Sequence, residues 1–270
     1  MVGACPNHHI YGFLSGTKAF SSRSQGVNRA GHENLGGSPQ ELGSLGELLD
    51  RGVLWEGDGG GARTMPTSRQ VSNLAQRALR DEDSLSALLQ ALGTQNTDEK
   101  ARNRAFQALR LVAQRHPEAL LPRWGELAAL LKGGHAFTRY PAVHILAALA
   151  PAEEEGGFEK AFDAFYGLLD DEAISVAAHV AWLSGKIAKA KPNLQRRITR
   201  RLLSIDKTHF DVGRKDLIKS YAIQAFDEYF EDAKEKKAIL IFVRDQLGAK
   251  SPRARKAAKE FLKKWETGAD

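Results

Sequence analysis

Residues 186–201 carry seven cations, Lys186, Lys189, Lys191, Arg196, Arg197, Arg200 and Arg201, and no acid. A helix starting near Pro192 would bury Leu194, Ile198 and Leu202. It would leave Arg196 with Arg200, and Arg197 with Arg201, as i,i+4 pairs on its remaining surface. Four guanidiniums on one face repel one another unless an anion sits between them, and the planar guanidinium fork suits phosphate or carboxylate. The chemistry these residues suggest is therefore anion binding. The same residues are also expected of a solvated helix face balanced by acidic neighbours. Residues 152–172 supply such neighbours: Glu153, Glu154, Glu155, Glu159, Asp163, Asp170, Asp171 and Glu172, against Lys160 alone. Their helix should stack beside the basic one, so the two faces could pair or present a dipolar surface to one partner.

Other residues with reactive side chains form no recognisable site. His8-His9 lie near Cys5, the only cysteine, with no second ligand pair to complete a metal centre. His144 and His179 read as ordinary packing or surface histidines. No phosphate-cradling glycine loop, nucleophile elbow or zinc-binding helix signature is present. Of the four tryptophans, Trp182, Trp124 and Trp265 have packing roles, and Trp55 has none. The chain therefore reads as non-catalytic, with no cofactor and no metal.

The elements that must position the basic stripe come from a recurring phrase. Val71-Ser72…Ala75…Ala78-Leu79 returns as Ala101-Arg102…Ala105…Ala108-Leu109 and as Thr138-Arg139…Ala142…Ile145-Leu146. It returns again as Ile174-Ser175…Ala178…Ala181-Trp182, Ile218-Lys219…Ala222…Ala225-Phe226 and Ala254-Arg255…Ala258…Phe261-Leu262. The second residues of the copies fall at 72, 102, 139, 175, 219 and 255, at intervals of 30, 37, 36, 44 and 36. Such a period suits one helical hairpin stacked on the next. Small and apolar residues at i, i+4, i+7 and i+8 place each phrase on one face of a first helix.

Between phrases lie second helices, marked by Leu85, Leu88, Leu89 and Leu92 in the first hairpin. Leu120–Leu131 follow, with Pro122 delaying the true start. Next come Phe158–Leu169, Leu194–Ile205 and Ile239–Leu247. Asn96 with Glu99 suggests a capping box, and Ser251-Pro252 a cap before a first-turn proline. Gly93, Gly133 and Gly248 mark helix ends. The 44-residue interval predicts a longer connection around 204–214.

Composition divides the chain at residue 65. Residues 1–65 hold 14 of the 25 glycines and no sustained periodicity, so this extension cannot bury enough apolar surface to offset its ordering entropy. One short turn is expected around 45–49. The extension has five basic and six acidic residues, so the overall charge of +6 leaves +7 on residues 66–270. That balance is compatible with an anionic partner. One cysteine permits no internal disulfide and suits a reducing, cytoplasmic setting. No segment reaches the length of a membrane span. Residues 1–32, with Lys18, Arg23, Arg29, several serines and no acid, have the look of an organelle-targeting peptide, and Met65 is an alternative start.

With Asp98…Ala101-Arg102…Ala105…Ala108-Leu109 and Ser251-Pro252…Ala254-Arg255…Ala258…Phe261-Leu262, the chain resembles HEAT repeats over roughly residues 68–267. In that armadillo-like family a proline or aspartate near the helix start precedes a Val-Arg-like pair and then small residues. Ser72 and Ser175 depart from the pattern where a basic residue is usual. The resemblance implies an all-α, right-handed α-solenoid of about five to six hairpins, with second helices lining a concave side. It also implies a non-catalytic, monomeric scaffold that binds a protein or acidic peptide. Nucleic acid is the alternative partner, through the same stripe. Alkylpurine DNA glycosylases share a HEAT-like fold, but no tryptophan–aspartate–arginine set here matches theirs, and the nearest residues, Trp182 and Asp171, have structural explanations.

Overall fold

The computed structural model of the chain describes residues 68–93 and 98–266, all within one unit spanning 38–270. The glycine-rich extension, with Cys5, His8, His9, Trp55, the expected turn at 45–49 and the targeting-like residues 1–32, lies outside the described residues. Eleven α-helices and no strand are found among the described residues. They are α1 Ser68–Ala78, α2 Glu82–Leu92, α3 Glu99–Arg115, α4 Trp124–Ala129, α5 Ala136–Leu149 and α6 Gly157–Gly167. The remainder are α7 Ile174–Ala190, α8 Gln195–Leu203, α9 Val212–Tyr229, α10 Lys236–Asp245 and α11 Pro252–Glu266.

The odd-numbered helices are the six phrases, and each packs directly on the next in an unbroken row from α1 to α11. The even-numbered helices lie against this row, giving five hairpins and a closing helix. The phrase explains the row, because its central alanine is buried in all six copies, at positions 75, 105, 142, 178, 222 and 258. A methyl side chain there lets two helix backbones come close. The approach is tightest between α7 and α9, where a Cβ added at Gly185 would stand 2.8 Å from the Ala225 carbonyl oxygen. The last phrase position behaves less uniformly than the repeat suggests. Leu109, Leu146 and Phe226 are fully buried. Leu79 lies beyond the end of α1 and is 38% exposed, and Trp182 is only partly covered.

Second helices touch one another sparingly, while first helices run closely together. The closest helix-to-helix packing in this stack therefore runs along the first-helix row. Pro122 acts as expected: residues 121–123 form a 3-10 turn and α4 begins only at Trp124. Asn96 lies outside the described residues, and the α3 cap is Asp98, whose carboxylate accepts from the Lys100 N–H at 2.9 Å. Ser251 Oγ accepts from the Ala254 N–H at 3.4 Å, as its position before Pro252 predicts.

The basic residue of the phrase is a strut in three copies. Arg139 Nη2 donates to Asp171 Oδ1 at 3.0 Å, Lys219 pairs with Asp206 at 2.6 Å, and Arg255 Nη1 donates to the Ala249 and Lys250 carbonyls at 2.7 Å each. The long connection before α9 is pinned in the same manner. Asp170 accepts from the His209 N–H at 2.7 Å, and Phe210 is buried.

Candidate functional site

Helix α8 places the arginines where the sequence puts them. Its buried side is Gln195, Ile198, Thr199 and Leu202, with Thr199 Oγ1 sharing a hydrogen bond of 2.8 Å with the Tyr229 hydroxyl. That face fixes Arg196, Arg197, Arg200 and Arg201 outward, and all four are exposed. The acidic segment does stack beside them. Asp163 of α6 lies 2.6 Å from Arg201 and 3.8 Å from Arg197, and so is the anion between two of the four guanidiniums. Arg197 also lies 3.9 Å above the Phe162 ring. Arg196 pairs with Glu235 at 2.8 Å, whereas Arg200 makes no ion pair or hydrogen bond among the described residues.

The three lysines of the run part company with the stripe. Lys191 is nearly buried against Glu153, with Nζ 2.9 Å from Oε2 and a further bond to the Glu153 carbonyl. Burial opposes ionisation of Glu153, but bonds from the Gly157 N–H, Lys191 and the Phe158 N–H outweigh it and hold its carboxyl below the usual range. Lys191 is thus a structural strut, withdrawn from any partner. Lys186 lies over the Trp182 ring at 5.5 Å, on α7. Lys186 and Lys189 both act on Glu228, whose carboxyl burial pushes upward against their attraction.

A second cluster, which the sequence reading did not find, lies on the first-helix row. His144 of α5 and His179 of α7 share a hydrogen bond of 2.8 Å between Nε2 and Nδ1, and both are buried. Rings from four helices surround them. Tyr140 stands 4.9 Å and Trp182 5.6 Å from His179, Tyr221 stands 6.2 Å from it, and Phe106 stands 5.6 Å from His144. Two cations border these rings: Lys186 from α7, 5.5 Å from the Trp182 ring, and Arg253 from α11, 4.3 Å above Tyr221. Burial, then the partner ring and the nearby Arg110 and Lys186, push the His144 imidazole well below its ordinary range. Burial, with Arg110 and Arg253, lowers His179 to about 3. Both rings are therefore neutral near pH 7. The one available signal was a histidine on consecutive first helices. Their phrase registers differ by one residue, so the repeat alignment hides their contact.

Trp265 Nε1 donates to Asp227 at 2.6 Å, and Trp124 packs beside Gly157, so both are structural. Asp171 is committed to Arg139 and to the Ala173 N–H at 2.8 Å. Among the described residues no cluster of histidine, cysteine or carboxylate is arranged to hold a metal ion, and no helix is long and apolar enough to cross a membrane.

No protein-family model matches this chain, and no curated protein does. Among solved structures it is similar to a designed armadillo repeat protein in complex with the peptide (KR)4. The two are 17% identical with a TM-score of 0.49, over 83% of this chain and 98% of that one. From its own helix order and packing, the described part of the chain is an all-α repeat solenoid of stacked helical hairpins.

Proposed function

We propose that this protein is a non-catalytic scaffold that holds an acidic segment of a partner protein against helix α8. Arg196, Arg197, Arg200 and Arg201 are its contact residues. The observation that carries this reading is the state of Arg200. It is fixed outward by the buried Ile198 and Leu202 and has no counter-charge among the described residues. Arg197 and Arg201 are only loosely committed, since their Asp163 is 74% exposed and such surface pairs contribute roughly 0–1 kcal/mol. A partner's carboxylates can displace them at small cost. Discrete carboxylates on a flexible segment can also bypass Asp163, whereas a nucleic-acid backbone, with charge at every step, meets it.

The test is binding of a fluorescent oligoglutamate peptide and of a duplex DNA oligonucleotide, each titrated in salt. It compares the natural chain with an Arg196/Arg197/Arg200/Arg201→Glu variant whose helical circular dichroism is intact. The peptide should bind more tightly than the duplex and weaken with salt, and the variant should lose about tenfold or more, roughly 1.4 kcal/mol. Equal peptide binding by the variant, or tighter binding of the duplex, would overturn the proposal.

A further inference from the structure

We infer that the chain carries its own first occupant of the α8 arginines: residues 41–58, which lie outside the described residues, dock on Arg196, Arg197, Arg200 and Arg201 and compete with a partner for them. The inference rests on the reading of α8 as a surface for acidic segments. Residues 1–65 hold six acids, and five of them stand in this one stretch: Glu41, Glu47, Asp50, Glu56 and Asp58. Arg51 is its single cation, so its net charge is −4. The stretch also holds Trp55, the one tryptophan without a packing role in the repeats. Its carboxylates are spaced along the chain rather than continuous, which is the form of anion that can pass Asp163 and still reach the arginines.

The destination follows from charge. Among the described helices, α8 alone combines four arginines with no acid of its own. Arg200 makes no ion pair or hydrogen bond among the described residues, and Arg197 and Arg201 share one exposed carboxylate. A guanidinium fork accepts a carboxylate in bidentate fashion, so each arginine can take an acid of the segment. Length permits the contact. Three steps along the first-helix row separate α1 from α7, on which α8 packs, roughly 24–30 Å at ordinary helix spacing. Asp50 is 18 residues from Ser68, where α1 begins, and an extended chain of that length spans about 60 Å. Tethering then favours this segment over a diffusing one, because a linker that can span the distance holds its end at an effective concentration on the order of millimolar.

The test compares the natural full-length chain with a full-length Glu41→Gln/Glu47→Gln/Asp50→Asn/Glu56→Gln/Asp58→Asn variant in binding fluorescent oligoglutamate. It is run in about 0.15 M salt, where charges more than about 8 Å apart are largely screened, so a change reports contact and not net charge. The neutralised chain should bind the probe about fivefold or more tightly than the natural one. A synthetic peptide of residues 41–58 should displace the probe from the neutralised chain and fail to bind the fourfold α8 variant. Equal probe affinity of the natural and neutralised chains, with binding lost in the α8 variant, would overturn this inference and leave the α8 surface standing. No probe binding by the neutralised chain would overturn both. A natural chain that elutes as a dimer, beside a neutralised chain that elutes as a monomer, would place the contact between two copies and overturn the intramolecular arrangement.

Discussion

At the scale of single residues, the stack depends on buried polar pairs. Arg139 and Asp171 are almost wholly covered, so removing one partner leaves an uncompensated buried charge. Asp171→Ala should therefore cost about 3–5 kcal/mol in chemical denaturation, far more than loss of an exposed pair. The histidine pair makes a prediction in pH. In the unfolded chain a histidine titrates near 6.5, while His179 in the fold titrates near 3 and His144 well below its usual value. The folded state thus binds fewer protons in this window. Stability is fully present above pH 6.5 and falls as pH drops toward 3. For His179 alone the loss between pH 7 and 5 is about 2 kcal/mol, and a His179→Asn variant should show a shallower Tm profile across that range. The carboxylates held low, Glu153 and Asp170, act in the same direction at more acidic pH, and Glu228, held high, acts oppositely. Gly185→Ala should cost about 1–3 kcal/mol, because its methyl meets a backbone carbonyl that cannot move aside. The alanines and leucines of the phrase were legible from spacing alone. The histidine pair was not, since contact between α5 and α7 depends on a stagger between copies that aligned phrases conceal.

At the scale of elements, α8 is a helix that its sequence alone would support poorly. It has no side-chain cap and no acid in its first turn, and Arg196 and Arg197 stand where the helix dipole disfavours cations. Packing of Ile198 and Leu202 holds it in place. Arg200 and Arg201, in the last turn, have the favourable sign. Arg200→Glu should consequently change stability by no more than about 1 kcal/mol, measured in urea, while weakening an acidic peptide several-fold. A stability loss well beyond that, with peptide binding unchanged, would make α8 a structural element only. The helix and its outward arginines were readable from the i,i+4 pattern. The pairing of Lys191 with Glu153 was not, because it joins residues 38 apart in sequence through a connection whose path the periodicity does not define.

At the scale of the whole molecule, each first helix touches its neighbours and little else, so the stack is nearly one-dimensional. Its C-terminal end is sealed by α11, where Phe261 and Trp265 pack against Phe230 at 5.0 and 5.1 Å. A chain ending at residue 248 should expose the α9 face, fray from that end in hydrogen exchange, and keep protection in α3 and α5. The hairpin number and order followed from the repeat. Which row packs tightly did not, since apolar periodicity marks a buried face without saying which neighbour covers it. The central claim is that the α8 arginines serve a partner and are not consumed by the acids beside them. It is tested most directly by measuring an acidic peptide's affinity for Asp163→Asn against the natural chain at low salt. Freeing Arg197 and Arg201 should tighten binding by about two- to fivefold, the worth of an exposed ion pair. Unchanged or weaker binding would show that the stripe belongs to the α6–α8 contact and contradict the account.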